Sequence, residues 1–265
     1  FSATATIQSL YMRVDILFLG QMVSAASLGL YSAAYKPINM LGVLGGTVAT
    51  ALFPLMVRVP HVGTSTTFQQ TMRGLGVAGP AAALVFSGIA RPLLTGLYGA
   101  EFAAAAPILV LLVWSAAAFW LYAPLGVALR GRGKENLWLL GLTGALTLNI
   151  AGNLYAIPHW GAVGAAAATL GSELALVGIG VALTKRALGI VLYKRSIFGI
   201  LSATAIGGVV LLLLLDAGGP FLAVLTALTA YTGVLLFLRI VTIEDATLVM
   251  EWLRQAVPGW SKGQI

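Results

Sequence analysis

The chain contains no cysteine, two histidines and only eight acidic residues among 265. Without cysteine there is no disulfide framework and no thiolate metal site, though this says nothing about the compartment. His61 and His159 fall in separate loops that the span pattern places on opposite sides of a membrane, so they cannot share a metal. No phosphate-binding GxxxxGK[ST], nucleophile-elbow GxSxG or zinc-type HExxH is present. The chain therefore reads as no enzyme, no cofactor is implied, and an ATP-driven machine would need another subunit. Charged residues of both signs make up 9% of the chain, where a soluble domain carries about 25%.

Apolar residues take that place. They form 59% of the chain, and the mean hydropathy is +0.97. So much apolar surface, spread over the whole length, cannot be hidden in one water-soluble core; bilayer hydrocarbon is its natural solvent. The apolar runs are continuous rather than alternating, which favours helices over barrel strands. The expected fold class is an all-α polytopic membrane helix bundle. A spanning helix needs about 20 apolar residues, and eight segments qualify: 5–28, 38–57, 76–97, 104–128, 137–157, 162–184, 197–215 and 221–240. Gly, Pro and polar clusters punctuate the joints, as in "YKP", "RVPHVG", "GRGKEN", "IPHWG" and "DAGGP". "TSTTFQQTMRG", with Thr66 and Gln69 in capping-box spacing, and "TIEDATLVMEWLRQAV", with Thr242 and Asp245, read as short peripheral amphipathic helices.

The net charge of +7 does not signal nucleic acid. An even span count puts both ends on the same side. Twelve of the fifteen basic residues, among them Arg73, Arg130, Arg132, Lys185, Arg195 and Arg239, then share that side, against Lys36 and Arg91 opposite. Positive charge spread over short loops is the pattern of membrane insertion, with the rich side cytoplasmic. The expected location is the cytoplasmic (inner) membrane, with both ends of the chain inside.

The charges within the spans are the candidate functional residues. "LYMRVDILFLG" places Arg13 and Asp15 near the middle of the first span, where each costs about 2.5–3.5 kcal/mol. Two residues correspond to about 200° of helix, so the side chains point to opposite sides. Thr4, Gln8, Tyr11 and Asp15 recur on one face; this stripe lines a wet cavity, with Asp15 binding a proton or cation, or it is bonded to a neighbouring helix. Arg13 pairs with another helix, meets an anionic substrate, or snorkels, although about 12 Å of depth at 1.5 Å per residue strains that reach. Glu173 is the second buried acid and shares a side with Thr169 and Ser172; its role is structural bonding or ion coupling. Asn39, Gly42, Gly46 and Thr50 form a stripe suited to close helix packing or to a cavity wall. Asn149 and Asn153, four apart, read as amide links between helices.

Several of these words, in this order, resemble a known family. They are "RVDILFLG", "LGLYSAAYKP", "ALFPLMVR" with Pro54, "LYGAEFAAAAPIL", and "LNIAGNLYAIPHWGAVGAAAATLGSE" with Asn149, Asn153, Pro158, Gly161 and Glu173. Over about 190 residues the chain looks like the C-terminal part of a polysaccharide or lipid-linked oligosaccharide flippase, in the superfamily that includes multidrug and toxin extrusion transporters. The resemblance implies about fourteen helices in two lobes rocking around a central cavity. Residues 1–190 would be the second six-helix lobe, 191–241 two trailing transmembrane helices and 242–265 a cytoplasmic amphipathic tail. The function implied is flipping of undecaprenyl-linked oligosaccharide by alternating access, coupled to an ion gradient. The implied partners are the lipid bilayer, the lipid-linked oligosaccharide, an N-terminal lobe of the same protein outside this chain, and a glycan polymerase or ligase. Tyr11, Gln8, Arg13, Asp15, Asn39 and Glu173 would line the substrate and ion pathway. A cation-coupled multidrug exporter of the same superfamily is the competing reading, since Asp15, Tyr11 and Glu173 suit a cationic cargo equally.

Overall fold

The computed structural model describes residues 2–51, 53, 54 and 66–241, and these residues form helices joined by short turns. The elements are α1 (Ser2–Tyr11), α2 (Val14–Met22), α3 (Ala25–Ala51), α4 (Thr66–Tyr98), a 3-10 turn (Ala100–Ala105), α5 (Ala106–Gly131), α6 (Glu135–Leu188) and α7 (Lys194–Phe237). The all-α polytopic bundle expected from the sequence is the fold observed.

Helix α6 is a hairpin. At Gly161 the backbone leaves helical geometry (φ 56°, ψ −136°), in the positive-φ region that side chains with a Cβ avoid. The two arms then pack face to face: Asn149 meets Ser172, and a Cβ on Gly152 would lie 3.0 Å from that of Ala168. Helix α7 reverses in the same way at Gly219 (φ 76°, ψ 166°) just before Pro220. Among the described residues, five helical segments are long and apolar enough to cross a membrane: Phe68–Tyr98, Ala100–Gly131, Glu135–Leu188, Lys194–Leu215 and Ala217–Phe237. The α6 segment has 54 residues, about 80 Å of helix against roughly 30 Å of hydrocarbon, so its two arms cross separately.

The first third of the chain departs from the expected spans. Span 5–28 is not one helix. It breaks at Met12–Arg13, where Arg13 has φ −130° and ψ −5°, and again at Val23–Ser24, where Val23 is extended. Ser24 starts the next helix as its N-cap, its Oγ accepting from Ser27 N at 3.3 Å. Helix α3 thus begins well before the expected 38 and runs straight through "YKP", with Pro37 inside it. Packing overrides the breaker here, because Tyr31, Ala34 and Ile38 are buried on one continuous face. With Lys36, Pro37 and Asn39 in its middle, α3 falls short of the hydropathy that marks a span. "TSTTFQQTMRG" is not a separate surface helix either, since residues from Thr66 onward continue into α4. Buried Phe68 and Met72 supply the reason: they pack with Leu125, Val127 and Ile190. "RVPHVG", His61 and the 242–265 tail lie outside the described residues.

Helix α5 is the central post, packing against α3, α4 and α6. Its Trp120 is buried and donates Nε1–H to Leu41 O at 2.9 Å. The α7 hairpin leans on the bundle through α4. Tyr231 donates to Val77 O at 2.8 Å, and Gly88 lets Val224 approach closely. Arg73, Arg130, Lys185, Lys194, Arg195 and Arg239 all lie toward one end of the bundle, tied by Gln69 Nε2–H···O Val191 at 3.1 Å and Arg195 Nη2–H···O Leu238 at 3.1 Å. Lys36 sits toward the other, its Nζ 5.5 Å from the Tyr98 ring centroid.

Candidate functional site: a buried polar seam

Helices α1 and α2 lie along α6, and the face they turn to it is polar. Thr4, Tyr11 and Asp15 are buried there, and Gln8 is half-buried. The break at Met12–Arg13 falls inside this face without destroying it, because α2 resumes with Val14 and Asp15 turned inward. Arg13 is exposed while Asp15 is buried, with a break in the helix beside them.

Asp15 is 3% exposed. Its Oδ1 accepts from Ile16 N at 2.8 Å, and its Oδ2 accepts a short hydrogen bond from the hydroxyl of fully buried Tyr31 on α3. Thr169 on the second arm of α6 lies beside both groups. The carboxyl is thus held within this bundle, away from acyl chains.

One turn further along that arm, Ser172 is the hub of a second network. Its Oγ donates to Thr169 O at 2.9 Å and accepts from Asn149 Nδ2 at 2.9 Å. Since a hydroxyl carries a single proton, the 3.0 Å contact with Tyr11 Oη must be donated by Tyr11. Asn153 Nδ2 in turn donates to Asn149 O and Oδ1 at 2.9 and 2.8 Å. The amides therefore link the two arms of the hairpin and, through Ser172, reach α1. Thr4 Oγ1 closes the far end of the seam on Glu135 Oε1 at 2.8 Å.

Glu173 is buried next to this network and neighbours Tyr122 of α5, with Asp15 and Tyr11 close enough to be felt electrostatically. Its Oε2 has no hydrogen-bond partner, nor do Tyr122 Oη and Asn153 Oδ1. Buried polar atoms without partners are few in native proteins and call for an explanation. Three of them, one belonging to the Glu173 carboxyl itself, lie in this seam. Among the described residues no group of three His, Cys, Asp or Glu could hold a metal.

The structure therefore brings Gln8, Tyr11, Asp15 and Glu173 together and leaves Arg13 and Asn39 out. Asn39 is exposed, as is Thr50, and Gly42 and Gly46 are only half-buried. The packed face of α3 is the neighbouring one, Ile38, Leu41, Gly45 and Ala49. A stripe of small residues marks where helices can approach; which stripe is used depends on the large residue facing it, here Trp120. Sequence reading missed Tyr31 and Tyr122 as members of the seam. Each is one hydroxyl in an apolar run, and only the rotation of α3 and α5 about their axes aims it inward.

Residues 1–107 match the family described as "Polysaccharide biosynthesis protein". No curated relative matches the chain. Solved structures share its fold at low identity. One is an outward-facing multidrug resistance MATE family transporter of the MOP superfamily, 20% identical with a TM-score of 0.57. A second is a MOP superfamily transporter from Pyrococcus furiosus, described by the reversed polarity of its binding pocket, 18% identical with a TM-score of 0.57. A third is a MATE protein in the straight conformation, 18% identical with a TM-score of 0.60. Each match covers 92% of this chain, and the chain spans 64% of the length of each of these proteins. The chain thus has the fold of the MOP-superfamily transporters, and its first 107 residues carry the pattern of the polysaccharide biosynthesis protein family.

Proposed function

We propose that this chain is the second lobe, with its trailing hairpin, of a transporter that passes lipid-linked oligosaccharide across the cytoplasmic membrane by alternating access. The observation that supports the reading most is the family match over residues 1–107, because that stretch contains α1, α2 and α3 and hence Tyr11, Asp15 and Tyr31 of the seam. Residues 1–190 form the lobe, 191–241 the two trailing helices and 242–265 an inner-surface tail. The basic end of the bundle faces the cytoplasm. The undecaprenyl-type tail stays in the bilayer while the sugar–pyrophosphate head crosses a wet cavity shared with a companion lobe. Asp15 and Glu173 take up the coupling ion within the lobe, with the Tyr31 hydroxyl bonded to Asp15 and Tyr122 beside Glu173. Arg13, exposed at the α1–α2 break, meets the pyrophosphate or a helix of the companion lobe. Glycan polymerase or ligase would consume the exported product.

The second reading is a cation-coupled multidrug exporter. It is favoured by the two buried carboxyls of the seam, Asp15 and Glu173, with no basic side chain buried among the described residues; the fold does not choose between the cargoes. The test is export of lipid-linked oligosaccharide by the full-length protein at matched expression. Asp15→Asn is expected to cut export at least tenfold and Asp15→Glu to retain it partly, with Arg13→Ala reduced as well. Unchanged export in both Asp15→Asn and Arg13→Ala would refute the assignment. Drug resistance lost in Asp15→Asn, with glycan export intact, would give the exporter instead.

A further inference from the structure

The outward surface of α6 and α7 is aliphatic in the middle and aromatic at its ends. Leu148 on the first arm of α6, and Leu201, Val209 and Leu213 on the first arm of α7, are exposed. Thr143, Thr147 and Thr229 are exposed too, but each returns its hydroxyl to the carbonyl four residues back, at 2.9, 3.0 and 2.8 Å. A surface that keeps its polar hydrogens within its own helix suits hydrocarbon.

The exposed aromatic rings of these two helices stand elsewhere. Tyr155 and Trp160 precede the Gly161 reversal, and Phe221 follows the one at Gly219. Tyr193, Phe198 and Phe237 mark the opposite, basic end, near Lys194, Arg195 and Arg239. One hydrocarbon thickness separates the two groups. Glu135 to Tyr155 is about 30 Å of helix, Phe198 to Gly219 about 32 Å and Phe221 to Phe237 about 24 Å, against roughly 30 Å of bilayer core. Both arms of α7 are uncharged over that length, from 196 to 215 and from 217 to 238.

At the α6 tip the rings form one cluster. Tyr155 stacks on His159 with centroids 4.7 Å apart, and Trp160 stands edge-on to Tyr155 at 5.9 Å. His159 Nδ1 lies 2.7 Å from Tyr155 O. A backbone carbonyl can only accept, so Nδ1 carries the proton and the ring is held in place. All three side chains stay exposed, as does Leu154 beside them, so the patch runs on into the aliphatic surface. Indole and phenol each combine an apolar body with one polar handle. That chemistry suits the glycerol and headgroup layer better than acyl chains or bulk water.

We propose that Tyr155, His159 and Trp160, with Phe221, anchor the two hairpin tips in the glycerol–headgroup layer of the leaflet opposite the basic end, and that Tyr193, Phe198 and Phe237 mark the other boundary of the bilayer. The occupant of this surface is the membrane, whatever the protein transports.

The experiment uses the full-length protein in vesicles of phosphatidylglycerol and phosphatidylcholine. The fluorescence lost between wild type and Trp160→Phe isolates the Trp160 component. It should be quenched at least threefold more by phosphatidylcholine brominated near the carbonyls than by lipid brominated near the chain ends, and little by aqueous iodide. In a cysteine-free background, nitroxides on Leu148→Cys and Val209→Cys should show an oxygen-to-nickel-chelate accessibility ratio at least tenfold above those on Phe221→Cys and Phe198→Cys. Quenching of Trp160 by iodide alone, or equal ratios at the four labelled positions, would overturn the proposal. Shielding of Trp160 by soluble oligosaccharide, without quenching by lipid, would overturn it in favour of a sugar-stacking platform. Asp15→Asn, expected to lose export, should leave every depth unchanged, so that failure of the transport assignment and failure of this one are read separately.

Discussion

Replacing Gly45 by alanine adds one methyl group to α3, and the structure says where it goes. An ideal Cβ at Gly45 would sit 2.1 Å from Trp120 Cδ1, 2.4 Å from Nε1 and 2.8 Å from Cγ. None of these is the loose end of a flexible chain: the indole is buried, and its Nε1–H is bonded to Leu41 O at 2.9 Å. The ring must move, which costs about 1–3 kcal/mol for overpacking. If the move breaks the indole hydrogen bond, the stranded donor adds roughly 1–3 kcal/mol. Against this, alanine is favoured over glycine inside a helix by about 1 kcal/mol. Gly42 lies on the same helix with nothing within 4 Å of its Cβ position, so Gly42→Ala carries the helix gain without the clash. The difference between the two variants isolates the clash, and the expected value is about 2–4 kcal/mol. The assay is denaturant unfolding of the full-length protein in detergent, followed by circular dichroism. In a Trp120→Leu background the Gly45→Ala penalty should largely vanish, as a double-mutant cycle would show. If Gly45→Ala matches Gly42→Ala within about 0.5 kcal/mol, the packing of α3 on α5 described here is wrong.

Two further outcomes can be checked in the same way. At Gly164 an added Cβ would stand 2.2 Å from the backbone oxygen of Ala156, which has no rotamer to escape into; Gly164→Ala should destabilise by at least ~2 kcal/mol, while Gly171→Ala, with open space around it, should not. Tyr31→Phe removes the hydroxyl that donates to Asp15 and should cost about 1–3 kcal/mol. Tyr35→Phe, losing only a long 3.4 Å contact to Met12 O, should cost clearly less, and equal losses would remove Tyr31 from the seam.

Much of the fold was legible because it depends on local chemistry. The α6 and α7 reversals fall at "IPHWG" and "DAGGP", where glycine alone admits the positive φ of Gly161 and Gly219. The α5–α6 joint falls at "GRGKEN" for similar reasons. The polar face Thr4, Gln8, Tyr11 and Asp15 was readable from spacing, and it remains inward-facing even across the break at Arg13. The misplaced boundary at 25–38 shows the limit of such reading. Pro37 is a breaker by local rules, yet it lies within a helix whose buried face continues on both sides of it. The true signal was the cap Ser24 with Ser27, easily passed over in a mild "SAAS" stretch.

The seam was half legible. Glu173 and Asp15 announced themselves as carboxyls in apolar surroundings, and Asn149 and Asn153 by their spacing. Ser172 was legible beside Glu173 on one helix side, but Tyr31 and Tyr122 were not, because they come from two other stretches of chain and no periodicity within one helix relates them to the acids. Asn39 failed for the mirror-image reason: its stripe had the right composition, but the side facing α5 is one residue out of phase, at Ile38, Leu41 and Gly45.

The sequence by itself determined that this chain is a bundle of apolar helices for a bilayer, where it reverses, which end is basic and which carboxyls need shelter. Those properties follow from composition, hydrophobic run length and the backbone limits of single residues. Tertiary structure alone decided which tyrosine holds Asp15 and which face of α3 packs. These depend on how helices are rotated and set against one another, and that geometry is fixed by the summed packing of side chains far apart in the chain.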